Sequence, residues 1–120
     1  MTNVKGPDFI ALQVPNVEKS AKFYTELLGL HPAPDSPPDA VLFLTSPIPF
    51  ALKKSREPLG NSPLGHGAAL WFLCDNSMEL YAKLKVNNVI LLDEPYQSPF
   101  GMTFNFQDPD GYIITIHDKA

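Results

Sequence analysis

The sequence predicts an α+β fold made of two tandem βαβββ units. Three observations predict it: a strand, a tight turn and a second strand within residues 102–118, a strand followed by an amphipathic helix near the start, and a second strand–helix pair at an offset of 59 residues. Each unit leaves one sheet face without a helix. Two units are therefore expected to form a curved eight-stranded mixed sheet, as half-barrels around a concavity. The alternative is chance similarity between two strand–helix segments.

The first unit begins with alternating apolar residues at 10–14, which predict a strand. Asn16 follows as the predicted N-cap of a helix over 17–28, whose apolar residues recur on one stripe. Gly29 suits the left-handed position after a helix end. Three short strands are expected at 30–34, 40–45 and 49–54.

The second unit repeats this order. A strand is predicted over 66–73, Asp75 is the predicted N-cap of a helix over 76–86, and Asn88 takes the left-handed position. Asp-Pro-Asp-Gly at 108–111 predicts a turn, because proline fixes its first corner and glycine accepts a positive φ. The strands expected after the helix lie at 89–93, 102–107 and 112–118.

The predicted organisation is a single domain over 1–120. Its parts are a first unit at 1–58, a glycine-containing linker at 59–65 and a second unit at 66–120. A chain of 120 residues is long enough for one domain with a real hydrophobic core.

Composition narrows the partners and the compartment. The net charge is −4 and no basic run is present, which argues against nucleic acid as a partner. No apolar run approaches the roughly 20 residues that span a bilayer, so no membrane segment is predicted. A lone cysteine, Cys74, cannot form an internal disulfide and fits a reducing compartment. We therefore expect a cytoplasmic protein.

Strand parity predicts which side chains face the concavity, since successive residues of a strand point to opposite faces. The 59-residue offset places Ala69, Trp71 and Leu73 against the helix. The side chains expected in the concavity are apolar or neutral-polar, as in a binding pocket. They are Phe9, Ala11, Gln13, His66, Ala68, Leu70, Phe72, Thr103, Asn105, Gln107, Ile113, Thr115 and His117. Tyr96 and Phe100, in a predicted loop at 94–101, are expected at its mouth, where they can stack on a flat ligand.

The chain resembles the vicinal oxygen chelate superfamily, the group of glyoxalases, bleomycin-resistance proteins and extradiol dioxygenases. The resemblance rests on two motifs in order: Val-Pro-Asn-Val-Glu-Lys-Ser at 14–20 leading to Leu-Gly-Leu at 28–30, and Phe-Gly at 100–101 leading to Asp-Pro-Asp-Gly at 108–111. It implies paired βαβββ units and commonly a homodimer.

The resemblance also implies where a divalent metal ion would be held. The corresponding positions carry Phe9, Ala68 and Thr115, and the matching region of the first half, 50–53, holds no acid. Such side chains are not a metal-ligand set, so no metal site and no cofactor are expected. The metal-dependent glyoxalase mechanism is then absent as well.

Two of the three histidines fall on the predicted inner face. If strands 66–73 and 112–118 are antiparallel, His66 lies opposite His117. The alternatives are a structural pair at the rim, a ligand-contacting and pH-sensitive pair, and a displaced metal site. His31 is expected on the surface.

The predicted function is metal-independent binding of an apolar or aromatic small molecule, like that of drug-sequestering resistance proteins. One alternative is a lyase, isomerase or dioxygenase-like enzyme with a displaced metal or a His66/His117 acid–base pair. Another is a non-catalytic assembly domain. The predicted ligand-binding residues are Phe9, Gln13, His66, Phe72, Tyr96, Phe100, Asn105, Thr115 and His117, and no catalytic residue is assigned.

Overall fold

The structure is a computed structural model that describes residues 4–55, 59–60 and 64–119. The chain divides into two compact units, residues 1–59 and 60–120. Part of the predicted linker, residues 61–63, lies outside the described residues. Neither helix in the described ranges has the length and apolar character that a membrane span requires.

The first unit contains one helix and a three-stranded mixed sheet. Its elements are β1 (Ile10–Val14), α1 (Val17–Glu26), β2 (Ala40–Phe43) and β3 (Phe50–Lys54). The strand order is β1-β3-β2, with β1 parallel and β2 antiparallel to β3.

The strand predicted at 30–34 is reduced to an isolated bridge between Pro32 and Phe43. Two ladder-like hydrogen bonds remain, from Ala33 N to Leu42 O at 2.7 Å and from Leu44 N to His31 O at 2.8 Å. The prolines at positions 32 and 34 have no backbone N–H, so a longer ladder cannot form there.

Aromatic packing between α1 and its sheet forms the first core. Asn16 caps the helix as predicted, since its side chain accepts a hydrogen bond from Lys19 N at 3.0 Å. Tyr24 is fully buried, with its ring centroid 5.2 Å from that of Phe50 and 6.2 Å from that of Phe43. Leu12, Val14 and Leu52 complete this buried face.

The second unit contains one helix and a five-stranded mixed sheet. Its elements are β4 (Leu70–Leu73), α2 (Ser77–Val86), β5 (Ile90–Leu91), β6 (Tyr96–Ser98), β7 (Gly101–Gln107) and β8 (Ile113–His117). The strand order is β4-β8-β7-β5, and β6 also pairs with β7. As in the first unit, the strand before the helix lies parallel to the last strand of the unit.

The second core lies between α2 and one face of this sheet. The ring centroids of Tyr81 and Phe104 are 5.2 Å apart in an edge-to-face arrangement. The fully or almost fully buried residues here are Ser77, Leu84, Phe104, Phe106, Ile114 and Ile116. The predicted turn at 108–111 is present: Asp108 Oδ1 accepts hydrogen bonds from Asp110 N and Tyr112 N, both at 2.9 Å, and Gly111 has a φ of 99°.

The N-cap of α2 is Asn76 rather than the predicted Asp75, because the Asn76 side chain accepts a hydrogen bond from Glu79 N at 3.1 Å. The two N-caps are therefore 60 residues apart. Gly29 and Asn88 have the predicted left-handed backbone, with φ values of 73° and 60°, and they remain 59 apart. The chain between each N-cap and its left-handed residue is thus one residue longer in the first unit than in the second.

The predicted α+β class with mixed sheets is confirmed. Backbone hydrogen bonds divide the eight strands between a three-stranded and a five-stranded sheet, and neither closes into a barrel among the described residues. The homodimer stays a prediction.

Candidate functional site

The second sheet has one face covered by α2 and one face that we call the open face. Strand register assigns side chains to each, because directly paired residues point to the same side. Leu70 and Phe72 pair with the buried Ile114 and Ile116. Trp71 and Leu73 pair with Thr115 and His117, and Thr115 pairs with Asn105 of β7. The open face therefore carries three rows, Trp71–Thr115–Asn105, Leu73–His117 and Ile113–Gln107.

The predicted faces of β4 are wrong. Trp71 and Leu73, assigned to the core, are 49% and 56% exposed on the open face, whereas Phe72, assigned to the ligand, lies on the helix side. The cause is the repeat offset of 60 rather than 59. A shift of one residue moves every side chain of a strand to the opposite face.

Three rings form what we call the aromatic cluster: Trp71, Phe100 and His117. The ring centroid of Trp71 is 5.7 Å from that of Phe100 and 5.6 Å from that of His117, and Phe100 and His117 are 6.1 Å apart. All three pairs are edge-to-face, a favourable geometry for aromatic rings. Phe100 is half exposed, as is Trp71. The cluster thus presents ring surface to solvent.

Phe100 is held in place through its backbone. Its N–H donates to Ser98 Oγ at 3.0 Å, and its carbonyl accepts from Lys119 N at 2.9 Å. Ser98 Oγ lies 2.7 Å from the hydroxyl of the buried Thr103.

Residues 96–98, predicted as loop, form strand β6 against β7. Tyr96 pairs with Thr103, on the side of the sheet that also carries Asn105.

A second group, which we call the polar row, lies beside the cluster: Asp93, Asn105 and Thr115. Thr115 Oγ1 donates to Asn105 Oδ1 at 2.5 Å. Asn105 in turn donates twice to the Asp93 carboxylate, from its backbone N to Oδ1 at 2.8 Å and from Nδ2 to Oδ2 at 2.7 Å. Sequence reasoning found Asn105 and Thr115 but missed Asp93. Its position depends on where pairing with β7 passes from β5 to β6, which no local pattern indicates.

The structure does not bring His66 and His117 together. The prediction took their strands as antiparallel, but β4 and β8 are parallel, and His117 pairs with Leu73. His66 is exposed in the turn before β4, at the opposite end of that strand. His117 Nδ1 lies 3.2 Å from Lys119 O, and a carbonyl only accepts, so Nδ1 carries the proton of this hydrogen bond. The proposed acid–base pair therefore has no geometric basis.

The first sheet also has a face opposite its helix. Register places Ala11 opposite Ala51 and Gln13 opposite Lys53 on that face, as parity predicted. Phe9, directly before β1, is 47% exposed. No acid lies among the four residues at 50–53. Phe9 and Gln13 belong to the first unit, and their contact with a ligand stays a prediction.

The residues at the implied metal positions do not fit a metal ion. With the corrected offset, the repeat partner of Phe9 is Ala69 rather than Ala68, and neither side chain has a donor atom. The Thr115 hydroxyl is engaged with Asn105. Within the described ranges, no group of three or more His, Cys, Asp or Glu side chains is placed to hold a metal.

Burial raises the pKa of the Cys74 thiol above its usual value. Hydrogen bonds from the Ser77 hydroxyl and the Asn76 backbone oppose this shift, and the carboxylates of Asp118 and Asp75 add to it. A thiol with a raised pKa is a poor nucleophile at neutral pH, so the site offers no activated cysteine.

Residues 6–116 match the family model described as Glyoxalase/Bleomycin resistance protein/Dioxygenase superfamily. The chain belongs to this superfamily. The match covers both units, and the confirmed turn at 108–111 and helix cap at Asn16 lie within it.

Three relatives of this superfamily member cover nearly all of it. The phenazine antibiotic resistance protein EhpR of Enterobacter agglomerans is 29% identical, over 97% of both chains. The uncharacterized protein YetH of Bacillus subtilis is 28% identical, over 91% of this chain and 94% of its own. The solution structure of protein ATC0852 from Agrobacterium tumefaciens is 32% identical with a TM-score of 0.74, covering 98% of this chain and 99% of its own.

Proposed function

We propose that this superfamily member binds and sequesters an apolar or aromatic small molecule without a metal ion. The observation that carries the proposal is the aromatic cluster of Trp71, Phe100 and His117 on the open face. A group of large, half-exposed aromatic side chains on a protein surface commonly marks a site that a ligand or a partner covers when it binds.

Ring geometry supports a flat ligand. The three rings meet edge to face, so they offer a ligand ring surfaces in more than one orientation. Each aromatic contact contributes about 0.5–1.5 kcal/mol beyond the area that it buries. Leu73, 56% exposed in the row next to Trp71, extends the apolar surface.

The relative EhpR supports a planar aromatic compound as the class, since its name describes it as a phenazine resistance protein. A phenazine is a flat, fused ring system of the kind that stacks on exposed side-chain rings. Sequestration needs affinity and no reaction, which agrees with a site whose described side chains include neither a metal-ligand group nor an activated thiol.

The proposed ligand contacts differ from the predicted set. Trp71 replaces Phe72, because Phe72 lies on the helix side of β4. The contacts that we propose on the open face are Trp71, Tyr96, Phe100, Asn105, Thr115 and His117. The predicted contacts Phe9, Gln13 and His66 remain to be tested by single alanine substitutions.

Trp71 is the sole tryptophan of the chain, so its fluorescence reports directly on the aromatic cluster. We expect phenazine to quench this fluorescence saturably in protein treated with a chelator. Phe100→Ala is expected to weaken binding about fivefold, the loss of one aromatic contact of about 1 kcal/mol. The control is Met78→Ala, which removes a half-exposed apolar side chain of α2 and should leave the affinity unchanged.

Two results would contradict the proposal. One is the absence of saturable quenching and of calorimetric heat with phenazine and with other planar aromatic compounds. The other is binding that appears only when a divalent metal is restored.

A further inference from the structure

We infer that the polar row selects a ligand that carries a hydrogen-bond donor or a protonated nitrogen on the rim of its ring system, and that it disfavours a carboxylate there. The inference rests on the proposed function and goes beyond it by naming a specificity-determining residue, Asp93.

The hydrogen bonds of the polar row all run in one direction. The Thr115 hydroxyl donates to the Asn105 carbonyl oxygen, and the Asn105 amide donates to the Asp93 carboxylate. The donors of this chain of bonds are thus Thr115 and Asn105, and its final acceptor is the Asp93 carboxylate. The Thr115 proton is not available to a ligand while this chain of bonds is in place.

The polar row presents mainly hydrogen-bond acceptors to a ligand. Thr115 Oγ1 keeps its lone pairs, and each oxygen of Asp93 can accept one more bond besides its bond from Asn105. The row also ends in a negative charge. A ligand N–H or O–H gains a hydrogen bond to this group, whereas a ligand carboxylate meets acceptors and like charge.

The row is placed where one ligand reaches both groups. Trp71, Thr115 and Asn105 are direct partners on three neighbouring strands. Two interstrand spacings separate the backbones of Trp71 and Asn105, about 10 Å, which is the length scale of a fused ring system. A ring system stacked at the aromatic cluster then brings its rim to Thr115 and Asn105, next to the Asp93 carboxylate that Asn105 contacts.

The two carboxylate oxygens of Asp93 hold different parts of Asn105, its backbone and its side chain. Leu92 N donates to Asn105 O at 2.9 Å and Asn105 N donates to Asp93 Oδ1, which together complete the β7 edge where the pairing with β5 ends. That function needs one oxygen. The second oxygen holds the Asn105 side chain, which fixes the orientation of the amide and hence of the Thr115 hydroxyl.

The test compares three probes, phenazine, 2-aminophenazine and phenazine-1-carboxylate, by Trp71 fluorescence and calorimetry at pH 7.5. We expect the amine to bind at least about tenfold more tightly than the carboxylate, the contribution of one hydrogen bond to a charged group. We call the affinity for 2-aminophenazine divided by that for phenazine-1-carboxylate the amine/carboxylate ratio. In Asp93→Asn this ratio should fall to about threefold or less, while the affinity for phenazine changes little. The asparagine retains an acceptor oxygen for Asn105 N.

Glu94→Gln is the matched control, since it removes one exposed negative charge next to Asp93 and should keep the wild-type ratio. Thr115→Val should also narrow the ratio, and Thr115→Ser should restore it, so the test does not depend on the folding of the Asp93 variant. If phenazine binds but the ratio is unchanged in Asp93→Asn, or falls equally in Glu94→Gln, the inference is overturned and the proposed function stands. If no probe binds, both fail.

Discussion

Trp71 occupies an unusual position for the sole tryptophan of a small protein, because about half of its surface is exposed in contact with two other rings. Tryptophan is highly buried on average, and its transfer from water is among the most favourable of any side chain. The side chain therefore gains free energy from whatever covers it. We therefore expect Trp71 to contribute to the proposed binding and, as the sole tryptophan, to report it by fluorescence.

Cys74 is expected to react slowly with thiol reagents. Burial raises the pKa of its thiol, and the thiolate, which is the reactive form, becomes about tenfold scarcer for each unit of such a rise. Its rate with iodoacetamide at pH 7.5 should therefore be lower than that of glutathione and should still be increasing at pH 9.

Ser77→Ala provides an internal comparison for this rate. The Ser77 hydroxyl contacts Cys74 Sγ at 3.6 Å and lowers the pKa of the thiol, so its removal should slow the reaction further. A wild-type rate equal to or above that of glutathione would contradict the prediction.

The residues of the candidate site were predictable only in part. Thr115 and His117 were found because the turn at 108–111 fixes the parity of the strand that follows it. Trp71 was missed because the parity of β4 depended on a repeat offset, and a one-residue error reverses it. Asp93 was missed because its role comes from pairing with a strand 12 residues away in sequence.

At the scale of elements, Asp118 joins α2, β7 and β8. Its Oδ2 accepts from Ser77 N at 3.2 Å, at the first residue of α2, and its Oδ1 accepts from Met102 N at 3.0 Å in β7. These bonds, with the one from Ser77 as the main cause, lower the pKa of the Asp118 carboxyl. The carboxylate thus satisfies two backbone donors that strand and helix pairing leave open.

The lowered pKa gives a pH dependence of stability with a definite sign. A group whose pKa is depressed by folding stabilises the folded state above its unfolded pKa, about 3.9 for aspartate, and this contribution is lost as the pH falls through the folded value. We expect Asp118→Asn to lower the melting temperature at pH 7, and the wild-type and variant values to converge as the pH falls below about 3.9.

Asp75→Asn is the charge-matched comparison, since it removes an exposed carboxylate near the same helix end. It should not reproduce the convergence. If the difference in melting temperature between wild type and Asp118→Asn is the same at about pH 2 as at pH 7, the charge of the carboxylate has no role in stability.

The helices were the elements best predicted from sequence. Asn16 and the left-handed residues Gly29 and Asn88 act within one turn of the chain, so local side-chain chemistry decides them. The strands were harder. The bridge at Pro32 and the extra strand β6 depend on which partner strand has free backbone groups, and that is decided by tertiary pairing.

At the scale of the whole molecule, the common strand order of the two units explains why the family was evident from the sequence. Both units place their first strand parallel to their last, and the motifs that mark this order are short turns and caps. Function is less accessible at this scale, because one fold accommodates binding, resistance and catalysis through different side chains on the same faces.

Metal ions should leave the stability of the whole protein unchanged. A ligand that binds only the folded state at 100 times its Kd adds about 2.7 kcal/mol, which raises the melting temperature of a domain of this size by roughly 10 °C. Because Phe9, Ala69 and Thr115 do not form a ligand set, we expect Ni²⁺, Zn²⁺ or Mn²⁺ to shift the melting temperature of chelator-treated protein by less than about 1 °C. The measurement is a thermal melt with and without each ion, checked by calorimetry. Stoichiometric binding with a stabilisation of several degrees, abolished by His66→Ala or His117→Ala, would overturn the metal-independent proposal.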